Sequence, residues 1–148
     1  MRILAALIAL TFSPAANAHN GVDDEPHHGG VVKAYQDMHY EAVLVPGGGV
    51  QVYFSDAMGE PLPASAVSQM AVEIERPGQK TEYIDMAIDP TGVFWTGKSG
   101  AVIDPKGVVR IGFMMRGRSA LVEVPVAPLL MAQKRAGQKT AGAGHHGH

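Results

Sequence analysis

Hydrophobic and polar residues alternate through most of the chain. Residues 38–45 read MHYEAVLV, turn through Pro46-Gly47-Gly48-Gly49, and return as Val50-Gln51-Val52-Tyr53-Phe54. Two β-rich runs joined by a short Gly-rich loop predict a hairpin. Side chains on a strand point alternately to opposite faces. His39, Glu41, Val43 and Val45 therefore share one face, and Met38, Tyr40, Ala42 and Leu44 the other. Similar runs follow at 67–76, 81–88, 93–96, 108–116 and 119–126, with a shorter apolar stretch at 101–103. Turn clusters separate them at 55–61, 77–78, 89–92, 104–107 and 117–118. Short strands punctuated this often predict an all-β fold, an immunoglobulin-like antiparallel β-sandwich of about seven strands over residues 31–127, with Trp95 in its core.

Both ends break the pattern. The first eighteen residues, MRILAALIALTFSPAANA, carry a basic start, a short apolar stretch and a small-x-small site at Ala16-Asn17-Ala18. This is the form of a signal peptide, with His19 as the first mature residue and export to the periplasm as the consequence. The apolar stretch is about half the roughly twenty residues that a membrane span needs, so stable membrane insertion is not expected. Residues 19–30, HNGVDDEPHHGG, read as a mobile polar arm. Residues 128–148 form a tail in which 129–136 predict a short helix and 137–148 a disordered end.

Composition narrows the function. Cleavage removes Arg2, leaving eleven Lys and Arg against fourteen Asp and Glu, a net charge of −3. A mildly acidic chain lacks the basic footprint of a nucleic-acid binder. The absence of Cys excludes disulfides, thiolate metal sites, c-type haem attachment and thiol catalysis. No Gly-x-Ser-x-Gly elbow is present. Gly92–Ser99 matches the phosphate-loop spacing literally, but the strand-like Val93-Phe94-Trp95-Thr96 inside it is the wrong context. The chain is not expected to be an enzyme.

The seven histidines stand out because of where they fall. His19, His27 and His28 lie in the arm, His39 opens a strand, and His145, His146 and His148 end the chain. Neutral imidazole is the commonest side-chain metal ligand and suits copper, zinc and nickel. Ligands on mobile segments favour capture and release over a permanent structural ion. His39 and Glu41, on one strand face just downstream of His27-His28, form the sharpest candidate site. Against that stand ordinary roles: tail histidines that solubilise, and a lone strand histidine satisfied by packing. Met38 is the methionine nearest this group, while most methionines in a β-domain fill the core. The α-amine and imidazole of a mature amino-terminal His19 could also chelate copper(II) as a histidine brace, a minor alternative to cleavage that merely falls before a His.

His28-Gly29-Gly30, Asp37-Met38-His39-Tyr40-Glu41, Val52-Tyr53-Phe54-Ser55-Asp56 and Gly59-Glu60-Pro61 resemble a group of small exported bacterial proteins with an HGG…H-x-E…V-Y-x-x-D…G-x-P pattern. These occur in heavy-metal and copper resistance settings and beside adaptor subunits of metal-efflux pumps. Phe94-Trp95-Thr96-Gly97-Lys98 resembles that group's L-T-G-K stretch, with bulkier residues at its start. The resemblance spans residues 26–98 and implies a periplasmic β-sandwich that handles metal through His28, His39 and Glu41. Two functions fit these residues. One is a copper- or other divalent-metal-binding protein that buffers or passes its ion. The other is a non-catalytic module that docks on a metal-efflux or envelope component, with its histidine tails incidental.

Overall fold

The structure, a computed structural model, describes residues 25–142. The expected leader, His19 and the closing His145, His146 and His148 lie outside them. Among the described residues, ten strands, a single 3-10 turn at Ala64–Ala66 and one α-helix follow in order. Strands β1 (Val31–Tyr35), β2 (Met38–Leu44), β3 (Val50–Asp56) and β4 (Pro61–Leu62) begin one sheet. β5 (Gln69–Glu75) and β6 (Glu82–Ile84) belong to the second, and β7 (Ala87–Ile88) and β8 (Trp95–Gly97) return to the first. The hairpin of β9 (Val108–Met115) and β10 (Arg118–Pro125) completes the second sheet, and helix α1 (Val126–Gly142) ends the described chain. The first sheet runs β1-β2-β3-β8-β7 with β4 also on β3, and the second runs β10-β9-β5-β6. All pairings are antiparallel. This is the β-sandwich that the alternation predicts.

Alternation also decides which residues form the core. Met38, Tyr40, Ala42 and Leu44 of β2 meet Val109, Ile111 and Phe113 of β9 across one continuous apolar cluster, with Phe54 and Phe113 in edge contact at 5.7 Å. Trp95 is buried and its indole N–H donates to the Ala64 carbonyl at 2.9 Å. That bond satisfies the one polar atom of the ring in an apolar layer. Outside, on the second sheet, Arg110 is held by Glu73, Glu75 and Glu123, so three of its nearest carboxylates share one guanidinium.

Four local expectations need correction. Residues 81–88 do not form one strand, because the chain leaves the second sheet after Ile84 and joins the first at Ala87. A run with the right period turns a sandwich corner there. The tight turn placed at Gly117-Arg118 is Arg116-Gly117, both with positive φ (51° and 75°), the twist a two-residue hairpin requires. A further strand, β1, pairs with β2 ahead of the expected first hairpin. The helix begins at Val126, with Pro128 in its first turn, where a missing N–H does no harm. It runs through residues 137–142, which the tail's composition assigned to a disordered end. Burial of Val126, Leu129 and Ala132 against the sandwich holds it, and Gln133 Nε2 donates to the Leu44 carbonyl at 3.0 Å.

Candidate functional site: a histidine held by a buried carboxylate

All seven residues of β2 are buried, so both of its faces are covered. The face away from the core carries His39, Glu41 and Val43, and residues 27–30 are fastened across it. Glu41 does the fastening. Its side chain is only 6% exposed, and a carboxylate so placed must be fully hydrogen-bonded. Oε1 accepts the backbone N–H groups of His28 and Gly30, each at 2.9 Å. Oε2 accepts the backbone N–H of His27 at 3.1 Å and the ring Nδ1–H of His28 at 2.9 Å. Two donors to each oxygen occupy the acceptor positions a carboxylate offers.

The two glycines explain why the segment fits. A Cβ on Gly30 would lie 2.2 Å from the Ala42 carbonyl oxygen and 2.7 Å from Val43 Cγ2. Gly29 has a positive φ of 77°, and its Cβ would meet that of Ala136 on α1 at 2.7 Å. The first glycine passes beneath the helix and the second lies directly on the strand. Gly30→Ala is therefore expected to displace the segment from Glu41 at a cost of about 1–3 kcal/mol, the range for overpacking a close contact. Urea denaturation, with hydrogen exchange of the His28 and Gly30 amides, measures both effects.

The His28 ring is fixed on a second side. It stacks on Tyr53 of β3, the residue opposite Glu41 in the ladder, at 3.6 Å between centroids and 6° between planes. Tyr53 in turn packs against Phe94 at 4.8 Å. Burial, and then the carboxylates of Glu41 and Asp89, push the Tyr53 phenol above its ordinary range and keep it neutral. Because Glu41 only accepts, His28 Nδ1 carries a proton, which in the neutral ring leaves the lone pair on Nε2. The ring is 40% exposed, and Nε2 makes no hydrogen bond among the described residues. It borders a groove of about 500 Å3 whose walls include His27, Tyr53, Met58, Leu62 and Val93.

No protein-family model and no curated protein matches the chain. Among solved structures it is similar to a DUF4426 family protein from Pseudomonas aeruginosa. The two share 13% identity over 70% of this chain and 98% of that chain, with a TM-score of 0.44.

The other expected site residues are placed as follows. His39 lies on the Glu41 face but is only 6% exposed, with Nδ1 3.0 Å from the Asp56 carbonyl oxygen. A carbonyl only accepts, so this nitrogen too bears its proton. His27 gives its backbone N–H to Glu41, and the residue lines the groove. Met38 is in the core at 3% exposure. Among the described residues, no three His, Cys, Asp or Glu side chains come together as a metal-holding group. Tyr53 is not among the sequence candidates, and the observed ladder, not the sequence, sets it opposite Glu41. Strand β8, Trp95–Gly97, lies inside Gly92–Ser99, the stretch with phosphate-loop spacing.

Proposed function

We propose that the chain is an exported, non-catalytic β-sandwich that takes up a transition-metal ion, copper foremost, and buffers or passes it in metal resistance. The observation that supports this most strongly is the 2.9 Å bond from His28 Nδ1 to the buried carboxylate of Glu41. Metal-binding histidines commonly donate one ring nitrogen to a carboxylate, which fixes the tautomer and makes the other nitrogen a better ligand. His28 meets that description, and its stacking on Tyr53 adds rigidity. In this reading Glu41 orients the ligand and does not itself bind metal, since its oxygens are already occupied by four donors. The remaining donors come from nearby side chains of the groove or from the histidines of the two ends. One oriented imidazole with a partly assembled donor set suits an ion that must be released again.

Titration of the mature protein with Cu(II), Zn(II) and Ni(II) tests the reading. His28→Asn is expected to weaken binding of the preferred ion by tenfold or more while circular dichroism stays unchanged. Equal affinities for the variant and the parent would refute it.

A second reading is supported by the outer face of the β10-β9-β5-β6 sheet. Tyr83 on β6 and Leu121 on β10, the two edge strands of that sheet, are 78% and 69% exposed, and a docking module would use such side chains as separate anchors on an efflux or envelope partner. Partner binding that persists in chelator and after removal of the histidine tails distinguishes it.

A further inference from the structure

Imidazole alone does not choose between copper, zinc and nickel, but a second donor type in the groove does. We propose that Met58 is a thioether ligand to copper(I), with His28 Nε2 as its nitrogen partner, so that the groove selects the reduced, soft ion. The inference rests on the reading that His28 is a metal ligand, and it adds the oxidation state and the sulfur donor.

Methionine in a β-sandwich ordinarily fills gaps in the core. Met38 and Met115 do so here, and Met70 and Met86 pack against the same cluster. Met58 does not. It is 77% exposed, and it borders the same groove as His28. The other strongly exposed methionine, Met131 on α1, lines a different hollow.

The position of Met58 is set by a tightly tied turn between β3 and β4. Asp56 Oδ1 accepts the backbone N–H of Met58 at 2.8 Å and that of Glu60 at 2.9 Å. Asp56 N–H donates to the Glu60 carbonyl at 2.9 Å, and Gly59 closes the turn with a φ of 85°. The backbone of Met58 is thus held while its flexible, unbranched side chain projects. His28 is held on β2 by Glu41, and Met58 follows directly from β3, the neighbouring strand in the same sheet. Two rigid attachments thus present one imidazole and one thioether to a single groove.

The chemistry of the donors then favours one ion. Thioether sulfur is soft and favours Cu(I), whereas zinc and Cu(II) sites draw on imidazole and carboxylate. A harder ion would need several such groups, and no three of them converge among the described residues. Copper(I), a filled-shell ion that accepts few donors, needs less. The groove is mixed in character: Tyr53, Leu62 and Val93 give it an apolar wall, and Glu25, Glu41 and Glu60 also line it, so the selection for Cu(I) rests on the thioether and not on a low dielectric.

The test uses the full mature chain under anaerobic conditions, with Cu(I) partitioned against a chromogenic chelator and Cu(II) and Zn(II) titrated in parallel. Met58→Leu, which keeps the volume and removes the sulfur, is expected to weaken Cu(I) binding at least tenfold and to leave Cu(II) and Zn(II) within about twofold. X-ray absorption of the Cu(I) form is expected to show a copper–sulfur distance that the variant lacks. Met131→Leu is expected to change nothing. If Met58→Leu binds Cu(I) as the parent does, or Met131→Leu loses as much, the thioether assignment falls and the metal reading stands on His28. If His28→Asn leaves all three ions unaffected, the metal reading falls and this inference with it.

Discussion

Replacing Glu41 by alanine is expected to lift residues 27–30 off strand β2 and to lower the stability of the domain by about 3 kcal/mol. The carboxylate accepts four hydrogen bonds while its side chain is only 6% exposed. Bonds to a charged acceptor are worth more than neutral ones, about 1.5–3 kcal/mol each, but their sum overstates the loss. Once released, the N–H groups of His27, His28 and Gly30 can turn to water, so much of the loss returns as hydration. What does not return is the burial of the Glu41 face and the order of the segment. Glu41→Gln is a stricter test because it keeps the volume. One oxygen becomes an NH2 donor. At the Oε1 position it faces two backbone N–H groups and both bonds fail, while at the Oε2 position it loses the His27 N–H and keeps His28 only by forcing the other ring tautomer. Both variants are expected to increase exchange of the His28 and Gly30 amides and to weaken metal binding tenfold to a hundredfold, the usual effect of losing an outer-shell carboxylate. Unchanged exchange with a large loss of metal affinity would instead make Glu41 a direct ligand. Unchanged affinity with rapid exchange would separate metal uptake from the His28 clamp altogether.

The clamp was partly legible in the sequence, and the reasons are local. Period-two alternation placed His39 and Glu41 on one face and Met38, Tyr40, Ala42 and Leu44 on the core face, and each core-face residue is in the apolar cluster. What alternation leaves open is whether the second face is wet or covered. In β2 it is covered, by residues far apart in sequence that no strand pattern announces. The cross-strand partner was hidden for a different reason. A four-residue loop, Pro46 to Gly49, would set Phe54 opposite Glu41, whereas the observed ladder ends at Leu44 and Val50 and sets Tyr53 there. A one-residue change of register exchanges the faces, so the stacking partner of His28 depends on the loop's conformation. The glycines 47, 48 and 49 all have positive φ, which is what permits that loop. His28 itself read as part of a mobile arm because Pro, Gly and charge surround it. Its order comes from Glu41, thirteen residues away. The helix was underestimated because Pro128 reads as a breaker unless it falls in a first turn.

The larger loss of stability is expected at Trp95, and it does not touch the groove directly. Trp95→Ala is expected to destabilise the domain by about 3–5 kcal/mol, a large part of the roughly 5–15 kcal/mol that a domain of this size possesses. Two effects add. The residue is only 8% exposed and forms part of the core cluster, so its removal leaves a cavity the neighbouring strands cannot close. Its indole N–H is also the donor that meets the Ala64 carbonyl, which would be left without that partner. Trp95 pairs with Val52 on β3 on one side and Ile88 on β7 on the other, so the damage falls where the first sheet is joined to its edge strand. Trp95→Phe divides the two effects: it keeps most of the ring and loses the donor, and is expected to cost about 1–3 kcal/mol. Trp95 is the chain's single tryptophan, so its own fluorescence reports unfolding of the parent but is lost in both variants. Urea transitions followed by circular dichroism allow all three proteins to be compared. Equal midpoints for the parent and Trp95→Ala would mean that the ring is dispensable to the core. A loss for Trp95→Phe as large as for Trp95→Ala would assign the whole effect to the bond with Ala64.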